Sequence, residues 1–156
     1  NMYTGNYLRT EGTNGVLNFG KQFTQRPTRL KGYFKYTSVE INKSNDEMKY
    51  LIGQPDTCQI FIALGDWSEP VEIRTKPSDR KLFDKNDPHI IAYADMYSGK
   101  SVTEYTPFTL ELEYRDTDRI PTYIVVVASA SKYGDYFTGG DGSVLFLDDF
   151  TLEYDY

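Results

Sequence analysis

Two adjacent carboxylates, Asp148 and Asp149, lie inside an apolar alternation near the end of the chain, just after the run Gly139, Gly140, Asp141, Gly142. Successive strand residues point to opposite sheet faces, so the spacing predicts one of the two toward the interior or the sandwich rim. A carboxylate placed there needs a donor cluster, an arginine or a cation. Two readings follow. Calcium mixes carboxylates with loop carbonyls, which makes a structural calcium ion one of them. In the other, one Asp accepts backbone N–H bonds from a nearby loop and its neighbour is solvated. The lack of an Asp-x-Asp-x-Asp loop favours the second.

A second kind of chemistry is written in the aromatics. Sugars present apolar C–H faces and hydroxyl edges, so a site for them wants ring platforms beside Asp, Asn, Gln or Arg. Rings outside the core alternation are Trp67 in a turn directly after a strand, Tyr97, Tyr105, and Tyr133 with Tyr136. Arg74 and Asp95 are strand residues suited to reading hydroxyls. Taken singly, each ring reads first as an anchor folded over the sandwich end. Taken together, they predict at least one platform, and Trp67, Tyr97, Tyr133, Tyr136, Arg74 and Asp95 are the candidate glycan contacts.

Other constellations carry less. Hydrolysis needs a positioned acid and base, but Glu72, Glu111, Glu113 and Glu153 occupy outward strand positions where acids serve solubility. The single histidine, His89, has no second His or Cys near it to build a zinc site or a triad. Cys58 alternates with Ile60, Ile62 and Leu64 and reads as a small inward hydrophobe. The glycine run is not a phosphate cradle, since no Lys follows it and a strand comes next. Glycines there supply the positive φ angles of a tight turn.

The elements that must position these residues are strands. Two-residue alternation dominates: Phe108, Leu110, Leu112 and Tyr114 alternate with polar neighbours, giving a strand with one wet face. Residues 123–130 are apolar on both faces and predict a central strand covered on both sides. Further strands are expected over 3–9, 16–23, 30–41, 57–64, 70–75, 90–97 and 144–154. Residues 47–51 allow one helical turn, and the polar segment 76–88 reads as an exposed excursion. The 156 residues form one domain, an all-β, two-sheet antiparallel β-sandwich over 1–156. Fourteen Tyr and nine Phe against one Trp make 15% of the chain aromatic, which suits a half-buried pleated surface or a contact face. A net charge of -6 lacks the basic footprint that nucleic acid or anionic lipid requires, so neither is expected as a partner. No run is long enough for a transmembrane helix, and direct membrane insertion is not expected.

Several blocks carry a family resemblance. They are Met2-Tyr-Thr-Gly5, Leu17-Asn-Phe-Gly-Lys-Gln-Phe-Thr24, Arg26-Pro-Thr-Arg-Leu-Lys-Gly-Tyr-Phe-Lys-Tyr36, Tyr105-Thr-Pro-Phe108, Pro121-Thr-Tyr-Ile-Val125, Ser129-Ala-Ser-Lys-Tyr-Gly-Asp135, and the stretch from Phe137 through the glycine run to Phe150. Across nearly its whole length the chain resembles the bacterial family named Putative carbohydrate metabolism domain, a jelly roll similar to galactose-binding-like folds and carbohydrate-binding modules. The resemblance implies a non-catalytic glycan-binding module with a glycan or oligosaccharide as partner. It also implies a C-terminal position behind upstream domains of a secreted or surface-exposed bacterial protein, lipid-anchored through its N-terminal part. In related jelly rolls an acid of the closing strand helps hold a structural calcium, and Asp148 and Asp149 match that position loosely. A glycoside hydrolase, or a structural module packing on an upstream domain, are the alternatives.

Overall fold

The computed structural model describes residues 1–155 as twelve strands joined by turns and three short 3-10 segments. In chain order the strands are β1 (Met2–Tyr3), β2 (Gly5–Glu11), β3 (Asn14–Phe19), β4 (Lys21–Gln22), β5 (Arg29–Thr37) and β6 (Cys58–Gly65). They continue with β7 (Val71–Arg74), β8 (Ile90–Ser98), β9 (Val102–Glu111), β10 (Glu113–Tyr114), β11 (Tyr123–Ser129) and β12 (Val144–Glu153). All pairings are antiparallel. The main sheet runs β1-β11-β6-β8-β10, with β4 also on β11, and β12-β5-β9 stacks against one of its faces. The chain crosses between these two sheets from β5 to β6, from β8 to β9 and from β11 to β12, the alternation of a jelly roll. The predicted sandwich is therefore the observed one. The helical turn expected near residue 47 is the 3-10 segment Asp46–Leu51, started by Asn45, whose side chain accepts from the Met48 N–H.

A third layer adds to that plan. The small sheet β2-β3-β7 packs against the other face of the main sheet. This accounts for the doubly apolar pattern of β11. Ile124, Val126 and Ala128 face Leu30, Phe34, Tyr36 and Phe108 of the second sheet, while Val125 and Val127 join Phe19, Phe61 and Ile73 in a separate core. Cys58 is fully buried in the first core, where desolvation pushes its thiol up to about 11.

Two expectations change. The segment 76–88 is not simply exposed: Leu82 and Phe83 fold back onto the second core, with Phe83 ringed by Phe19, Phe61 and Trp67. The glycine run also works differently from a plain turn. Only Gly142 has a positive φ there (108°), whereas Gly140 is needed for close approach, since a Cβ would lie 2.8 Å from the Glu40 carbonyl oxygen. Among the described residues no helix is long and apolar enough to cross a membrane.

Candidate functional site

The second face of the main sheet changes character along its strands. Cross-strand register sets Tyr93, Ala63 and Val125 in one row, Asp95, Phe61 and Val127 in the next, and Tyr97, Gln59 and Ser129 in a third. The third layer and Phe83 roof the apolar part of this face. A cleft of about 450 Å³ runs from the apolar roof at Phe19, Phe61 and Phe83 to the polar end at Gln59, Tyr97 and Ser129, walled by the segment 82–86 and by Lys132, Asp135 and Tyr136.

On β8, Tyr93, Asp95 and Tyr97 share this face by period-two spacing. Both phenols donate to Asp95 Oδ2, Tyr93 at 3.0 Å and Tyr97 at 3.1 Å, and Gln59 Nε2 donates to the Tyr97 hydroxyl at 3.5 Å. Desolvation first, and the Asp95 charge second, raise the pKa of both tyrosines, so they remain neutral donors. The Tyr97 ring is 42% exposed despite this tether. The Lys132 ammonium lies 4.2 Å from the Tyr97 ring centroid and 5.2 Å from that of Tyr133.

The wall that carries Lys132 is held from behind by Asp56, which is 1% exposed. Its Oδ2 accepts from the Ser131 hydroxyl at 2.6 Å and the Gly140 N–H at 2.8 Å, and Oδ1 accepts from the Thr57 N–H at 2.9 Å. Further along, Arg80 stacks 4.5 Å from the Tyr136 ring centroid and donates to Glu47 at 3.0 Å. Asp135 keeps contact with solvent, yet the crowded wall around it desolvates its carboxyl and raises its pKa, against the opposing pull of Arg80. Asp84 lines the same cleft and accepts the Asn86 N–H at 2.8 Å.

Of the residues singled out from sequence, Tyr97 and Tyr136 line this cleft, while Asp95 holds the Tyr97 hydroxyl and Tyr133 lies beside Lys132 without lining it. Trp67 does not. It is 7% exposed, packs edge-on against Phe83 and donates its indole N–H to Asp87 at 3.0 Å, so it anchors a core and offers no platform. Arg74 lies on β7 in the third layer, paired with Glu72 and Asp79, away from the cleft. Tyr105 is on the second sheet, with Lys35 between its ring and Phe146. His89 is an exposed loop residue whose Nδ1 lies 3.0 Å from Asp66.

Asp148 and Asp149 correct the opening expectation. Both are exposed, and neither faces the interior. The ladder to β5 slips between Asp148 and Thr151, and Asp149 adopts a left-handed φ of 51°. This bulge spends an extra residue, so the inward sequence runs Leu145, Leu147, then Phe150 and Leu152. Among the described residues no group of three or more His, Cys, Asp or Glu side chains is placed to hold a metal ion. Among these residues no third acidic, His or Cys side chain joins the pair.

Sequence reasoning missed Gln59, Asp56, Lys132 and the 82–86 wall. Strand alternation placed Gln59 opposite to Cys58 and Ile60, which marks it as facing the other layer. The Leu82-Phe83 pair within a polar segment was the one signal that this segment returns to the core.

Similar folds exist among solved structures. A Bacteroides thetaiotaomicron crystal structure named as a putative glycoside hydrolase superposes with a TM-score of 0.69 at 22% identity, over 92% of this chain and 47% of that one. A second, from Bacteroides vulgatus and named likewise, gives 0.67 at 21% identity, over 90% of this chain and 63% of that one. The chain thus spans between about half and under two thirds of their lengths. No curated protein matches. The sequence profile of one family matches residues 1–153, and on that match the chain belongs to the Putative carbohydrate metabolism domain family.

Proposed function

We propose that this carbohydrate-related domain is a recognition module that binds a glycan in the cleft over the Ser129–Gln59–Tyr97 row, without catalysis of its own. One observation carries the reading: a 42% exposed tyrosine, fixed through its hydroxyl to a strand carboxylate, lines a cleft in which aromatic and polar side chains meet. A ring held this way offers an apolar face at little entropic cost, and Gln59, Ser129 and Asn86 supply donors and acceptors for hydroxyls. Calorimetry against a broad oligosaccharide panel tests it. Tyr97→Ala lowers affinity by tenfold or more while the melting temperature holds within a few degrees. Silence of the native protein across plant and host glycans overturns the reading.

A second reading rests on Asp135. It lines one cleft with Asp84, and two carboxylates in one cleft are what acid–base hydrolysis of a glycoside requires. Release of reducing sugar that vanishes in Asp135→Asn supports the hydrolase, and binding that survives this variant without turnover supports the module. An extracellular or surface location, behind upstream domains, belongs to the same proposal. It is supported by the family resemblance, and cell fractionation tests it.

A further inference from the structure

The cleft holds a cation with no ion-pair partner. Lys132 is half-buried, and among the described residues its ammonium makes no ion pair and no side-chain hydrogen bond; its contacts are the ring faces of Tyr97 and Tyr133. Arg29, Arg80 and Arg119 each pair with acids, whereas Lys35 and Arg115, like Lys132, face rings; of these ring-bound cations Lys132 is the one that lines the cleft. A ring face attracts an ammonium but takes none of its three N–H donors in the way a carboxylate does. Lys132 therefore lines the cleft with its donors unspent.

No nearby acid pairs with it. Asp95 accepts two phenol hydroxyls, Asp56 lies buried behind the wall accepting three hydrogen bonds, and Asp84 and Asp135, which line the cleft, make no ion pair with Lys132 among the described residues. Lys85, lining the same cleft, also has no ion-pair partner among the described residues. Because Lys132 sits over the Tyr97 ring, a ligand that touches the exposed part of that ring comes within reach of the ammonium.

Resting on the glycan-binding reading, we infer that the ligand is an anionic sugar, a pyranose bearing a carboxylate or sulfate that pairs with Lys132 while its ring packs on Tyr97. Charge-assisted hydrogen bonds are about twice as strong as neutral ones, and here the incoming anion costs the protein no existing ion pair. Specificity for charge follows from this one residue.

The test is calorimetric titration with oligogalacturonate, the same oligomer with its carboxyls reduced to alcohols, and a sulfated chondroitin oligosaccharide. The expected result is tenfold or greater preference for an anionic probe over the reduced one, weakening as sodium chloride rises from 50 to 500 mM. Because chondroitin carries both groups, loss of its binding on desulfation identifies sulfate as the recognised group and persistence identifies the carboxylate. Lys132→Gln removes the preference and Lys132→Arg retains it, with melting temperatures showing that both variants fold. Equal binding of reduced and acidic oligomers overturns the anionic class, a preference that survives Lys132→Gln overturns Lys132 as its reader, and either result leaves glycan binding standing. Failure of charged and neutral glycans alike to bind removes both readings.

Discussion

The Ser131 hydroxyl donates a 2.6 Å hydrogen bond to Asp56 Oδ2 across 75 positions of the chain. That bond joins the buried start of β6 to the segment that walls the cleft. Asp56→Ala leaves the Gly140 and Thr57 N–H groups without their acceptor in a dry setting, where a hydrogen bond to a charged group contributes about 1.5–3 kcal/mol. Chemical denaturation is expected to show a loss of about 3 kcal/mol. A loss below about 1 kcal/mol would mean that the wall is held by other contacts.

Trp67 gives the opposite separation of stability from binding. Trp67→Phe keeps most of the packing on Phe83 and removes the hydrogen bond to Asp87. The expected cost is about 1–2 kcal/mol of stability, with oligosaccharide affinity unchanged within twofold. A large affinity loss in a variant that melts normally would return Trp67 to the binding surface.

Acid should weaken the end of the sandwich where Asp66 sits. Burial alone would raise its carboxyl, but hydrogen bonds from His89 and Arg119 outweigh this and hold it below the ordinary value of 3.8. Backbone N–H groups of Arg119 and Asp118 lower Asp116 in the same way. The folded state therefore binds these protons less readily than the unfolded chain. Their contribution is complete above about pH 5 and is lost as pH falls through 3.8 and below. Denaturation midpoints measured from pH 7 to pH 3 should decline over that window. In Arg119→Met the decline flattens and the pH 7 midpoint is already reduced; an unchanged slope would assign the acid sensitivity elsewhere.

Gly32, in the middle of β5, has no room for a methyl group. A Cβ there would stand 2.7 Å from Phe150 and 2.8 Å from Phe108. Gly32→Ala is expected to cost about 1–3 kcal/mol by overpacking, read as a lower urea midpoint at unchanged m-value. An unaffected midpoint would mean that the two rings move aside freely.

Much of this architecture is legible in the residues. The doubly apolar run of β11, the alternation around Phe108 and the inward placement of Cys58 follow from period-two patterning alone. The third layer is not legible, because β2, β3 and β7 carry the same alternation whichever sheet they join. Trp67 misleads for a physical reason: a turn position after a strand is usually wet, and the Asp87 that receives its N–H lies twenty positions on. Asp148 and Asp149 mislead because a bulge resets the alternation without a glycine to announce it. Tyr97, Asp95, Tyr133 and Tyr136 could be named as a set. Their convergence over Gln59 depends on register between three strands, which no local pattern reports.

That same bulge has a consequence for how the molecule behaves in company. β12 is hydrogen-bonded to β5 alone, leaving ten residues of backbone on its other side unsealed. An open margin of that length is a template for a neighbouring copy and a starting point for aggregation. The kink at Asp149 breaks its straightness halfway, and two adjacent negative charges repel an identical strand drawn alongside. The bend and the paired acids together make this border a poor template for edge-to-edge pairing.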